Sequence, residues 1–240
     1  MINPARELRD FTRAALVTPV PVERSESPAQ VRRRRVVVAV TLVVGSVVLG
    51  LTLRIEPGDE SFYLGALALA AVWVVGALAA GRLHVGWAHT RDAGLTRPVV
   101  QPVALALLAV AIFVVGALVV GRVPWVAARI DDVLDHARYG SLGPIWVVTV
   151  VTGVGEELFF RGALYAAVER WHPIAVTTVV YVAATAATGN FALALAALVL
   201  GLITGAQRRV TGGVLAPTIT HVVWSSAMLL LLPPVLDLVR

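Results

Sequence analysis

Gly155-Glu156-Glu157-Leu158-Phe159-Phe160-Arg161 places two carboxylates and a guanidinium in an otherwise apolar run that begins near Ser141. An ionised side chain at the centre of a membrane helix costs about 2.5–3.5 kcal/mol on insertion scales, so a cluster of such groups requires compensation. Helical geometry supplies part of it. Glu157 and Arg161 stand four apart with the acid first, which sets them on one face in the favourable orientation for an ion pair. Glu156 points about 100° away around the helix and finds no partner in its own segment. The reason for Glu156 must come from elsewhere in the chain.

The surrounding composition fixes the setting. The chain has 240 residues, 58% of them hydrophobic, and a mean hydropathy of +0.82. That is too apolar for a soluble core and predicts an all-α, polytopic membrane helical bundle. The absence of cysteine excludes disulfides, thiolate metal sites and cysteine catalysis. The net charge of +5 comes from arginine alone, since there is no lysine, and Arg32 to Arg35 form a run. In a membrane protein such a run is a topology signal, and nucleic acid is not an expected partner. Residues 1–35 are polar, basic and punctuated by Pro4, Pro19, Pro21 and Pro28. They predict a disordered cytoplasmic tail and not a signal peptide, whose apolar stretch begins earlier.

Apolar runs at 36–53, 61–81 and 99–120 each approach the roughly 20 residues that cross a 30 Å core. Glu56, Asp59 and Glu60 lie between the first two with Arg54, whereas Arg82, Arg91 and Arg97 follow the second; this asymmetry puts the N-terminus inside. Residues 122–140 set Val123, Val126, Ile130, Val133 and Leu134 against Arg129, Asp131, Asp132 and Asp135. The pattern is that of an amphipathic helix in the interface, a solvated loop being the alternative. A fourth span at 142–168 carries the charged cluster and ends at Trp171, an interfacial anchor. Residues 173–207 are uncharged and too long for one span, and Thr188-Gly189-Asn190 is their turn signal. A last span at 213–232 is expected to stop at Pro233 and Pro234. The sum is seven spans with the N-terminus inside, and the alternatives are eight spans or a re-entrant pair at 173–207. Three helices and the interfacial helix fill 36–140, and 141–240 forms the chemical core.

His221 is the other strongly ionisable side chain well inside a predicted span, and Ser225 shares its face. A buried carboxylate and imidazole on separate helices can hold a metal, activate water or relay a proton. A lone intramembrane histidine can equally be a hydrogen-bonded packing residue.

Gly-Glu-Glu-Leu-Phe-Phe-Arg-Gly at 155–162 resembles the EExxxR signature of the type II CAAX prenyl endopeptidases and their bacterial relatives, the CPBP intramembrane proteases. The likeness covers about 141–232. It continues through Leu200-Gly201-Leu202-Ile203-Thr204-Gly205, the basic turn at Arg208 and Arg209, and Ala216-Pro217-Thr218-Ile219-Thr220-His221. The resemblance implies an intramembrane endopeptidase, metallo- or glutamate-type, acting on a peptide or membrane-protein substrate within the bilayer. Glu156 would polarise the attacking water, and Glu157 with Arg161 would brace the site. His221, helped by Ser225, would steady the oxyanion. A divalent metal such as zinc would sit at Glu156 and His221, or none would be needed.

Two departures from the family pattern stand out. Where the family carries FxxxH on the next helix, this chain has Tyr181 and Thr185, and threonine is neither an imidazole base nor an ordinary zinc ligand. His84, His89, His136 and His172 all fall in predicted loops or interfaces. In the last motif, HxxxN, Ser225 replaces the amide, and serine still donates one hydrogen bond. The second reading is therefore a proteolytically impaired member that serves as a membrane binding, scaffold or immunity protein. A small transporter is a third, weakened by the lack of sequence repeats. An arginine- and alanine-rich chain without lysine suggests a GC-rich bacterial genome and hence the inner (cell) membrane.

Overall fold

The structure, a computed structural model, describes residues 4–21, 26–90 and 94–239. The helices are α1 (Pro4–Thr12), α2 (Pro28–Thr52), α3 (Ser61–Ala80), α4 (Val100–Val120), α5 (Pro124–Tyr139), α6 (Leu142–Ala167), α7 (Pro173–Ala186), α8 (Phe191–Thr211) and α9 (Leu215–Asp237). A two-residue antiparallel ladder pairs β1 (Ala88–His89) with β2 (Leu95–Thr96) in the loop before α4. Among the described residues six helices, α2, α3, α4, α6, α8 and α9, are long and apolar enough to cross a membrane. With its 14 residues, α7 reaches only about 21 Å, short of a 30 Å core. The expected helical bundle of about seven membrane segments is present, the seventh being a shortened one.

The ends of these helices follow their sequence chemistry. Asn190 closes the turn at 187–190: its Oδ1 accepts from the Ala192 and Leu193 N–H groups at 2.9 and 3.2 Å, and its Nδ2 donates to Arg129 O at 2.6 Å. Gly189, at φ 81°, supplies the left-handed residue that the turn needs. The amphipathic pattern of 122–140 emerges as α5. Arg91 lies outside the described residues.

Two boundaries differ from the sequence expectation. The stretch expected to be a disordered tail contains α1, a wider π-type turn over Arg13–Val17, and the first turns of α2. Ser27 and Gln30 form a reciprocal capping box in front of α2, with Pro28 in its first turn. Ala15 and Val20 are buried, and the Val20 N–H donates to Val210 O at 2.8 Å. The helix expected to stop at Pro233 instead runs to Asp237, because Leu236 is fully buried against Ala117 and Leu134. Packing of that turn outweighs the hydrogen bonds its prolines remove.

The arginine run also has structural partners. Arg33 Nη2 donates to Ala79 O and Arg35 Nε to Ala167 O, each at 3.2 Å, so two of the four arginines face helix C-termini, where cations are favoured. Arg34 is buried in an ion pair with Glu26. These contacts collect the start of α2 and the ends of α3 and α6 at one end of the bundle. The Trp87 N–H bond to Thr211 O adds the end of α8. At the opposite end the Ser141 N–H donates to the Tyr63 hydroxyl, and Asn190 reaches α5. Successive apolar helices thus alternate in direction, the short α7 included.

Trp73 of α3, 1% exposed, organises the core. Its ring lies 4.7 Å from that of Phe159 and 5.2 Å from that of Phe160, centroid to centroid. Gly45 makes room for it on α2, since any Cβ there would overlap the indole. The signature's two phenylalanines are therefore anchors, fixing the helix that carries the charged pair.

Candidate active site

Immediately after Glu157, α6 widens into π-type turns over Leu158–Leu164. Such segments inside α-helices frequently mark functional sites. Arg161 sits in the widened stretch, and its backbone carbonyl accepts from Arg208 Nε of α8 at 2.6 Å. The expected ion pair forms: Arg161 Nη1 lies 3.1 Å from Glu157 Oε1, with both side chains fully buried. The guanidinium also stands 4.8 Å from the centre of the Tyr181 ring.

His221 enters from α9. Its Nδ1 is 2.8 Å from the same Glu157 Oε1 that holds Arg161. An ionised carboxylate only accepts, so Nδ1 carries the proton in this contact. The ring is thereby oriented with Nε2 toward Glu156, 3.9 Å from its Oε2. That distance is beyond a direct hydrogen bond. Glu156 Oε2 accepts instead from the Tyr181 hydroxyl of α7, at 2.6 Å. Three helices thus converge on one carboxylate, whose side chain retains 15% exposure beside the buried brace.

Of the expected residues, Glu156, Glu157, Arg161, His221 and Tyr181 come together. Among the described residues, the Thr185 and Ser225 hydroxyls make no hydrogen bond to the cluster. The Thr185 hydroxyl donates to Tyr181 O at 2.9 Å, and the Ser225 hydroxyl to His221 O at 2.8 Å, both within their own helices. Hydroxyls on helices commonly bond back to the preceding turn in this way.

Sequence reasoning missed a polar brace behind His221. Gln207 Nε2 donates to Thr220 Oγ1 at 2.8 Å, and Thr220 Oγ1 donates to Pro102 O at 2.9 Å. This chain ties α8, α9 and α4 together next to the imidazole. Its sequence signal is a glutamine near the end of an apolar helix, a position that needs a partner when buried. Arg208, read as a topology marker, is likewise 2% exposed and engaged with α6.

The donor set can be compared with what a metal requires. Glu156 and His221 could ligate, and the contact from His221 Nδ1 to Glu157 is the kind of outer contact that orients a metal-binding imidazole. Glu157 is already shared between Arg161 and His221. Among the described residues two donors remain where a catalytic zinc takes three protein ligands, so the set does not fit that ion.

Residues 139–227 match the family model described as type II CAAX prenyl endopeptidase Rce1-like. The match spans the charged cluster, Tyr181, the turn at Asn190 and His221. No curated protein and no solved structure matches the chain.

Proposed function

From the match of residues 139–227 to the type II CAAX prenyl endopeptidase family model, we propose that this integral membrane protein hydrolyses peptide bonds within the bilayer, using Glu156 as general base. The observation that carries the reading is the division of labour between adjacent carboxylates. Glu157 is neutralised by Arg161 and bound to His221, whereas Glu156 is held by one hydroxyl and keeps part of its surface open. A fully paired acid is a poor proton acceptor, and a partly open one beside an imidazole suits the task.

In this scheme a water gives a proton to Glu156 as its oxygen bonds to the scissile carbonyl carbon. The carbonyl π electrons move onto oxygen, on the side of the site where His221 Nε2 stands 3.9 Å from Glu156 Oε2. Collapse of the tetrahedral intermediate breaks the C–N bond, and the proton on Glu156 passes to the departing amine. The donor set does not complete a zinc site, so no step is assigned to a metal. The substrate class is a peptide or membrane protein that enters between helices, and the N-terminus is assigned to the cytoplasmic side by the arginine asymmetry.

One observation favours a second reading, a binding or scaffold protein. The Thr185 hydroxyl, at the position of the family's histidine, is bound to its own helix. Replacing the cellular copy by Glu156→Gln separates the two. A protease gives the phenotype of a full deletion, and a scaffold gives that of the wild type.

A further inference from the structure

Tyr181 stands where the family pattern has phenylalanine, and its hydroxyl is the group that phenylalanine lacks. That hydroxyl donates to Glu156 Oε2 at 2.6 Å, the short distance of a charge-assisted O–H···O contact. The ring behind it is clamped. Its centre lies 4.7 Å from the centre of Phe160 and 4.8 Å from the Arg161 guanidinium, and the residue is 8% exposed. Both clamping residues belong to α6, the helix that carries Glu156. The donor is therefore fixed relative to the acceptor by contacts that do not involve the hydrogen bond itself.

Glu156 needs such a partner. Its helical neighbour Glu157 is turned to Arg161 and His221, and His221 Nε2, at 3.9 Å, is too far to hold it. Among the described residues, Oε1 of Glu156 makes no hydrogen bond. One oxygen is thus tethered and the other left to accept a proton. Residue 185 cannot take over, because its hydroxyl points back to the carbonyl of Tyr181.

We infer that Tyr181 is a positioning residue for hydrolysis: its hydroxyl fixes Glu156 Oε2 near His221, giving the site from α7 the polar partner that Thr185 does not provide. This rests on the hydrolytic reading proposed above. It also removes the difficulty posed by the missing histidine, since the helix that lost an imidazole has gained a phenol one turn earlier.

The test is cleavage kinetics in lipid vesicles for the wild type, Tyr181→Phe, and Tyr181→Phe with Thr185→His, which restores the family's F-x-x-x-H. Loss of a positioning contact lowers kcat roughly 100-fold, and with uniform binding intact KM stays within about twofold. The double variant is expected to regain at least about tenfold of the lost kcat, an effect that repacking alone does not produce. A Tyr181→Phe enzyme with wild-type kcat, a loss confined to KM, or a loss that Thr185→His does not relieve would each overturn this inference and leave the hydrolytic reading standing. A wild type that cleaves nothing would overturn both.

Discussion

Glu157 carries the structural load of the site, through a single oxygen shared by Arg161 and His221. Breaking a buried pair by removing one charge is costly, so Glu157→Gln is expected to destabilise the protein by about 3–5 kcal/mol. Replacing both partners by apolar groups of similar volume is often neutral. Glu157→Leu with Arg161→Met should therefore recover most of the lost thermal stability in detergent and none of the cleavage, because His221 loses the carboxylate that orients it. Recovery of activity in the double variant would show that the pair is inert packing. The sequence made this pair legible, since i,i+4 spacing with the acid first leaves few alternatives. It did not reveal that the same oxygen also binds His221, which depends on how α9 is placed against α6.

At the scale of the element, the turns on either side of α8 decide whether the site assembles. Asn190 caps that helix and also reaches Arg129, so Asn190→Ala should cost about 1 kcal/mol from the lost cap alone, read as a lower thermal midpoint with cleavage retained. Gly213 is a harsher case. A Cβ there would overlap the backbone of Val85 and Gly86, where the Val214 and Leu215 N–H groups donate to His84 O and Val85 O. Gly213→Ala is expected to abolish the folded yield, because the clash is with backbone and not with a movable side chain. The turn at Asn190 and the amphipathic α5 were legible from local chemistry. The π-type widening of α6 was not, since no local pattern in 158–164 separates five-residue from four-residue hydrogen bonding. The continuation of α9 through Pro233 and Pro234 was also hidden, because it depends on Leu236 finding a buried seat between α4 and α5.

For the whole molecule, the alternating helix directions put Glu60 and Arg170 at opposite ends of the bundle. The chain has no cysteine, so single reporters are unambiguous. Glu60→Cys should react with an impermeant maleimide from outside intact cells, and Arg170→Cys only after the membrane is opened; the reverse pattern would invert the assigned orientation. Seven apolar segments were legible from hydropathy together with the turn signal at Thr188-Gly189-Asn190, although the shortness of α7 shows that a segment count does not give full crossings. What brings Glu156 to His221 and Tyr181 is the packing of α6, α7 and α9, which no periodicity encodes. The central claim is that Glu156 activates water for peptide hydrolysis. The most direct test is cleavage of a mixed pool of peptides and membrane proteins by the purified chain in lipid vesicles, wild type against Glu156→Gln, with products identified by mass. New peptide termini from the wild type that fall by roughly 100-fold or more in Glu156→Gln are predicted; termini produced equally by both proteins, or by neither, would contradict it.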